Sequence, residues 1–200
     1  MSNKKKLVDA VKKMVSSQPI KTKFIDIICQ QMSKRTLLNL NKTELHDFIH
    51  TLYDFFIVQH HQGSTLYFGK PALSAKHLTN RLILQISQPD APHLVVTIEE
   101  IFRKYKLRST RCIHPIIGIR RDAQGEVSDI VRPDQSFERR SLIFIAFEDI
   151  PSPDLIETIK SELSFHIDCV QNAHKDADAI QDTLQFVADQ LPRVRHEESS

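Results

Sequence analysis

The sequence predicts an α+β fold in which N-terminal helices precede a βαββα unit whose helices pack on an antiparallel sheet. Three observations carry this reading. Apolar residues recur at helical spacing through the first 60 or so positions, and from Leu82 onward strand-like alternation and helical stripes take turns. The third is the segment Cys112 to Val131, CIHPIIGIRRDAQGEVSDIV. There Ile113, Ile117 and Ile119 keep a period of two, Arg120 and Arg121 follow, and Asp-Ala-Gln-Gly breaks the run before Val127. This reads as a β-hairpin, with Gly125 taking the positive φ of the turn and the Asp122 side chain bonding the turn backbone.

Taken in order, Leu7, Val8, Val11 and Met14, then Phe24, Ile27, Ile28 and Met32, give two short helices separated by Ser-Ser-Gln-Pro. Asn41 with Glu44 makes a capping-box start for a third helix, whose stripe is Leu45, Phe48, Ile49, Leu52, Tyr53 and Phe56 and which ends near Gly63. Thr65 to Phe68 is a short strand closed by Gly69 and Pro71. Leu82, Leu84 and Ile86 form a strand stopped by Pro89. A helix follows, capped by Asp90 with Pro92 in its first turn, burying Leu94, Val95, Ile98, Ile101, Phe102 and Tyr105.

After the hairpin and a loop at Pro133, the strand Leu142 to Phe147 is apolar on both faces. A sheet covered on one side alternates, so this strand requires cover on both, from the opening helices or from another subunit. Ser152-Pro153-Asp154 starts a long helix with Leu155, Ile156, Ile159, Leu163, Ile167 and Val170 inward, and a further short helix carries Leu184, Val187 and Leu191. The organisation is therefore a helical segment over 1–70 with a strand near 65–69, a soft boundary at 71–80, a second domain over 81–191, and a frayed tail at 192–200.

An apolar fraction of 40% supports a proper core, and 27 basic against 25 acidic residues give a net charge of +2, too little to draw nucleic acid or an anionic membrane. No run approaches the ~20 apolar residues of a membrane span, and the basic start MSNKKKLVDAV lacks an apolar h-region. Three well-separated cysteines, Cys29, Cys112 and Cys169, read as reduced, buried thiols of a cytoplasmic protein. Four glycines, at 63, 69, 118 and 125, cannot form a dinucleotide or P-loop fingerprint, so no cofactor is expected in this chain.

The order strand, Asp-x-Pro helix, strand, hairpin, strand, helix resembles the ferredoxin-like plan of ACT domains, and Asp90-Ala91-Pro92-His93-Leu94 resembles their D-x-P-G-x-L loop. The closer resemblance, over roughly residues 41 to 191, is to the N-terminal ACT-like region of the large bacterial NAD-specific glutamate dehydrogenases. Their strand I-H-P-V-x-x-V-R-R-D-x-x-G is matched almost position by position by Ile113 to Gly125, and Pro153-Asp154-Leu155 matches the start of the following helix. Two departures stand out. Val96 and Thr97 replace Asp-Ser, and His93 replaces the loop glycine, where a side chain obstructs close backbone approach. A regular ACT unit also needs a fourth strand after its second helix; residues 175 to 200 offer none, and Leu66 to Phe68 is the segment available to fill that edge.

The resemblance implies a non-catalytic regulatory and assembly region of an enzyme that converts L-glutamate and NAD to 2-oxoglutarate and ammonium. NAD would bind in the rest of that enzyme. The implied partners are the remainder of the dehydrogenase chain, other subunits and an amino-acid effector, with no nucleic acid and no membrane. A free-standing ACT-like amino-acid-binding module and a helical protein-interaction module stand as alternatives.

The candidate ligand residues are Asp90, Pro92, His93, Leu94, His114, Arg120 and Arg121. A helix N-terminus at Asp90 suits an amino-acid carboxylate, and a paired arginine can grip one bidentately. The plainer readings are a helix cap for Asp90, a strand-end ring bonded to nearby backbone for His114, and solvated or salt-bridged arginines. His46 and His50 lie i,i+4 on the third helix but without the glutamate of a zinc helix. They read as a solvated polar face, as do His60-His61 and the His166, Cys169, His174 group. No residue is assigned a catalytic role.

Overall fold

A computed structural model describes residues 3–58, 63–71, 81–136 and 138–190. Its elements in chain order are α1 (Asn3–Met14), α2 (Pro19–Gln31), α3 (Lys34–Leu38), α4 (Lys42–Val58), β1 (Thr65–Gly69), β2 (Leu82–Pro89), α5 (Leu94–Lys104), β3 (Ser109–Ile113), β4 (Ile116–Arg121), β5 (Val127–Val131), β6 (Glu138–Phe147) and α6 (Pro153–Gln190). Residues 72–80 of the expected boundary at 71–80, His60-His61, Leu191 and the tail at 192–200 lie outside the described residues.

The start of α4 forms as its sequence dictates: Asn41 Oδ1 accepts from the Glu44 N–H and Glu44 Oε2 accepts from the Asn41 N–H, both at 2.9 Å. The short α3 was not anticipated; Ser33 caps it, its Oγ accepting from the Thr36 N–H at 3.1 Å.

All strand pairings are antiparallel, and the sheet runs β1-β2-β6-β4-β5 with β3 also pairing β6. β2 takes one edge of β6, so β3 and β4 share the other end to end. The fourth-strand position beside β2 is filled by β1, in register from Thr65 opposite Ser87 to Gly69 opposite Ile83. The edge strand thus comes before the unit in the chain instead of after it.

The expected hairpin is shorter than its segment. Cys112 and Ile113 belong to β3, His114-Pro115 interrupts, and the hairpin proper is β4–β5. Its turn is as expected: Gly125 has φ +84°, and Asp122 Oδ1 accepts from the Gln124 and Glu126 N–H groups at 3.0 and 2.9 Å. Gly118 in β4 has a different task. A Cβ there would lie 2.6 Å from the Arg132 carbonyl oxygen and 2.8 Å from Ser136 Cβ, so β5 and the following turn close against bare backbone.

β6 is covered on both faces from within the chain. Leu142, Phe144 and Ala146 join a core with Ile117, Ile119 and the apolar stripes of α1, α2 and α4, where Phe48 meets Phe144 edge to face at 4.9 Å. Ile143, Ile145 and Phe147 join a second core with α5 and the proximal part of α6 through Ile98, Phe102, Ile159, Leu163 and Ile167. The opening helices are therefore the second cover, and this strand's apolar back gives no reason for another subunit.

Two further expectations are corrected. The proposed short helix near Leu184 is the distal part of one 38-residue helix, because nothing between 171 and 180 carries a glycine or proline that would end it. Of the cysteines, only Cys29 is buried, and its thiol is pushed up to about 12 chiefly by burial, whereas Cys112 and Cys169 are exposed free thiols. Among the described residues no helix is long and apolar enough to cross a membrane.

Candidate functional site

β2 ends at Pro89, where the Gln171 side chain of α6 donates to the Pro89 carbonyl at 2.9 Å, and the Asp90 N–H bonds the Arg139 carbonyl of β6 at 2.9 Å. The chain then turns through Ala91, Pro92 and His93 into α5. Asp90 is not the cap of this helix and Pro92 is not in its first turn: α5 begins at Leu94, after His93, which makes no side-chain cap bond. His93 is left-handed, with φ 64° and ψ −2°. It thus adopts the conformation for which the family loop uses glycine, at the backbone cost a Cβ carries there.

Asp90 is occupied otherwise. Ser141, fully buried in β6, donates its hydroxyl to Asp90 Oδ1 at 2.6 Å, and its oxygen lies 3.0 Å from His114 Nε2. His114 sits in the break between β3 and β4, and its ring bonds this hydroxyl and not a neighbouring backbone group as expected. Burial holds the imidazole below its ordinary pKa, with the Asp90 carboxylate pulling the other way.

Although serine, histidine and aspartate meet here, they do so in the wrong order for nucleophilic catalysis. In a triad the histidine lies between serine and acid and takes the serine proton. Here serine lies between, its proton directed at the acid, and it is sealed from solvent. The arrangement locks the loop before α5 to β6. Ser141 escaped sequence reading because the apolar run begins at Leu142; the available signal was a hydroxyl directly ahead of six apolar residues.

Over this lock lies an open pocket of about 430 Å³ lined by Asp90, Ala91, Pro92, His93, Leu94, Val95, Val96, His114 and Ile116. Five of the seven expected ligand residues, Asp90, Pro92, His93, Leu94 and His114, are brought together. Arg120 and Arg121 are not. The Arg121 guanidinium does grip a carboxylate bidentately, but that of Glu138, with both nitrogen–oxygen distances 2.8 Å, and it donates a further bond to the Gly125 carbonyl. Arg120 is exposed on β4 opposite Asp129. Arg121 thus braces the hairpin, while the Asp129 carboxylate opposite Arg120 is held by Lys23 at 2.6 Å.

The pocket is mostly apolar, with one carboxylate, two imidazoles and the N-terminus of α5 at its wall. Such a lining suits a small zwitterion: the carboxylate faces an ammonium, the helix N-terminus an anion. Elsewhere, His46 Nδ1 bonds Asp47 at 3.1 Å and His50 Nδ1 pairs with Asp54 at 2.5 Å. Among the described residues no group of three or more histidine, cysteine or acidic residues is placed to hold a metal ion.

An antiparallel sheet with two helices on one face, entered through this loop, defines an ACT-type α+β domain carrying four additional N-terminal helices. The family model of the glutamate dehydrogenase ACT1 domain matches residues 24–163, and the chain belongs to that family. No curated protein and no solved structure matches it.

Proposed function

We propose that this chain serves as the N-terminal regulatory and assembly region of an NAD-specific glutamate dehydrogenase in the cytoplasm. The whole enzyme would convert L-glutamate and NAD to 2-oxoglutarate and ammonium. The catalytic groups and the NAD site would belong to the rest of the enzyme, and this region's partners would be that remainder and other subunits. Its own ligand would be an amino-acid effector, seated where the loop Asp90 to Leu94 meets His114.

The observation that carries this reading is the pocket itself, which forms at the loop that matches the ACT pattern. Asp90 would meet the effector's ammonium, the first N–H groups of α5 its carboxylate, and Val95, Val96 and Ile116 an aliphatic side chain. Because β2, β6 and α6 all hold the loop, a ligand that tightens it has a path to both cores.

The test is thermal unfolding of the purified chain against a panel of L-amino acids, 2-oxoglutarate and NAD. One amino acid at 100 times its Kd should stabilise by about 2.7 kcal/mol. The rise should vanish in Asp90→Ala, and NAD should leave the midpoint unmoved. Flat curves for every amino acid would remove the effector and leave an assembly role only.

A further inference from the structure

α6 outruns the body it packs on. Its last core residues are Ile167 and Gln171, yet the helix continues to Gln190. At 1.5 Å per residue the remainder projects roughly 30 Å. Beyond Gln171 the described side chains through Phe186 are exposed, apart from half-buried His174; Ile180 is 61% and Leu184 64% exposed.

We propose that this distal part of α6 is a homo-oligomerisation element that packs in parallel against the same helix of further copies of this chain. The first argument is spacing. Val170, Ala173, Ala177, Ile180 and Leu184 alternate steps of three and four, and the sequence continues the pattern to Val187 and Leu191. Such a sustained repeat is the signature of a helix that packs along its length against another with the same repeat. Backwards, the frame runs through Ile159 and Leu163, so one stripe serves the core first and then emerges from it.

The second argument is charge. Between 171 and 190 there are four aspartates and one lysine. Asp182 falls on the side away from the stripe and is exposed. Across a parallel seam of identical helices the flanking positions pair Cys169 with His174 and Asp176 with Gln181. Neither sets like charge against like, so copies of this helix pair without repulsion. An anionic membrane or nucleic acid, by contrast, meets an acidic helix. The third argument is stability, since a helix of about 20 residues with one unpartnered face is marginal in water unless something packs on it.

The inference rests on the assembly half of the proposed function and names its element; it is independent of the effector pocket. Sedimentation equilibrium of the full chain over micromolar concentrations should give a mass at least twice 23.1 kDa. Ile180→Asp with Leu184→Asp should reduce it to the monomer while the thermal transition of the body persists. Ile180→Leu, and Phe186→Asp on the opposite side, should keep the oligomer. A monomer at every concentration, or an oligomer that survives the double aspartate substitution, would overturn the proposal. An intact oligomer with flat ligand curves would instead remove only the effector.

Discussion

Ser141→Ala is the most direct probe of how the pocket loop is held. The substitution removes no volume to speak of, so its effect is almost wholly the loss of two hydrogen bonds at a fully buried position: the 2.6 Å bond to Asp90 and the 3.0 Å contact with His114. A bond to a charged acceptor contributes about 1.5–3 kcal/mol and a neutral one about 1 kcal/mol. Asp90 and His114 are half-buried, and water recovers part of both. A net loss of about 2 kcal/mol follows. For a chain of this length that corresponds to a fall in Tm of roughly 4–8 °C. Urea unfolding followed by circular dichroism gives the free energy directly, and an unchanged m-value shows that only the native state was touched. Loss of less than about 0.5 kcal/mol would refute the lock, because any surface substitution does as much. A Ser141→Ala, His114→Ala double-mutant cycle should give a coupling of about 1 kcal/mol; strict additivity would assign the serine's effect to Asp90 alone.

The depressed His114 pKa makes stability pH-dependent with a defined sign. The unfolded chain binds the proton near pH 6.5 and the folded chain only below that, so the stabilisation is complete above 6.5 and erodes as the pH falls from there towards the folded pKa. Denaturant midpoints at pH 7.5 and 5.5 should differ more for the native sequence than for His114→Gln, and identical differences would show that the ring is not the group responsible. Gly118→Ala should cost about 3 kcal/mol or more, since its Cβ would meet the Arg132 carbonyl at 2.6 Å and backbone cannot step aside as a side chain can; a Tm within 2 °C of the parent would contradict the packing described. His93→Gly should be neutral to stabilising by about 0.5 kcal/mol, the relief of a left-handed Cβ being offset by the extra freedom of glycine when unfolded. A clear destabilisation in urea would mean that the imidazole contributes contacts that outweigh the strain.

Much of the fold was legible because it is written in local chemistry. The Asn41–Glu44 box, the Asp122–Gly125 turn, the helical stripes and the doubly apolar β6 each act through neighbours in sequence or through a simple requirement of burial. The displacement of the edge strand could also be read, since no late segment had strand character and Leu66 to Phe68 did. The family motif singled out the segment Asp90 to Leu94, and that segment lines a pocket. What it could not give was the role of each residue in it: Asp90 has the chemistry of a cap, and only the approach of Ser141, 51 residues later, takes it from that role.

The sequence by itself thus determined the class of fold, the composition of its elements and the position of the candidate loop, since helical and strand periodicity, turn residues and burial patterns are short-range or statistical properties of the chain. Only the tertiary structure decided that α1 to α4 cover the second face of β6, that Arg121 is consumed by Glu138 while His114 reaches the pocket, and that α6 continues exposed beyond the core. Those outcomes depend on which residues distant in sequence arrive at the same place. Hydrogen bonds of 2.6–3.0 Å leave no latitude in that arrival, and no local pattern encodes it.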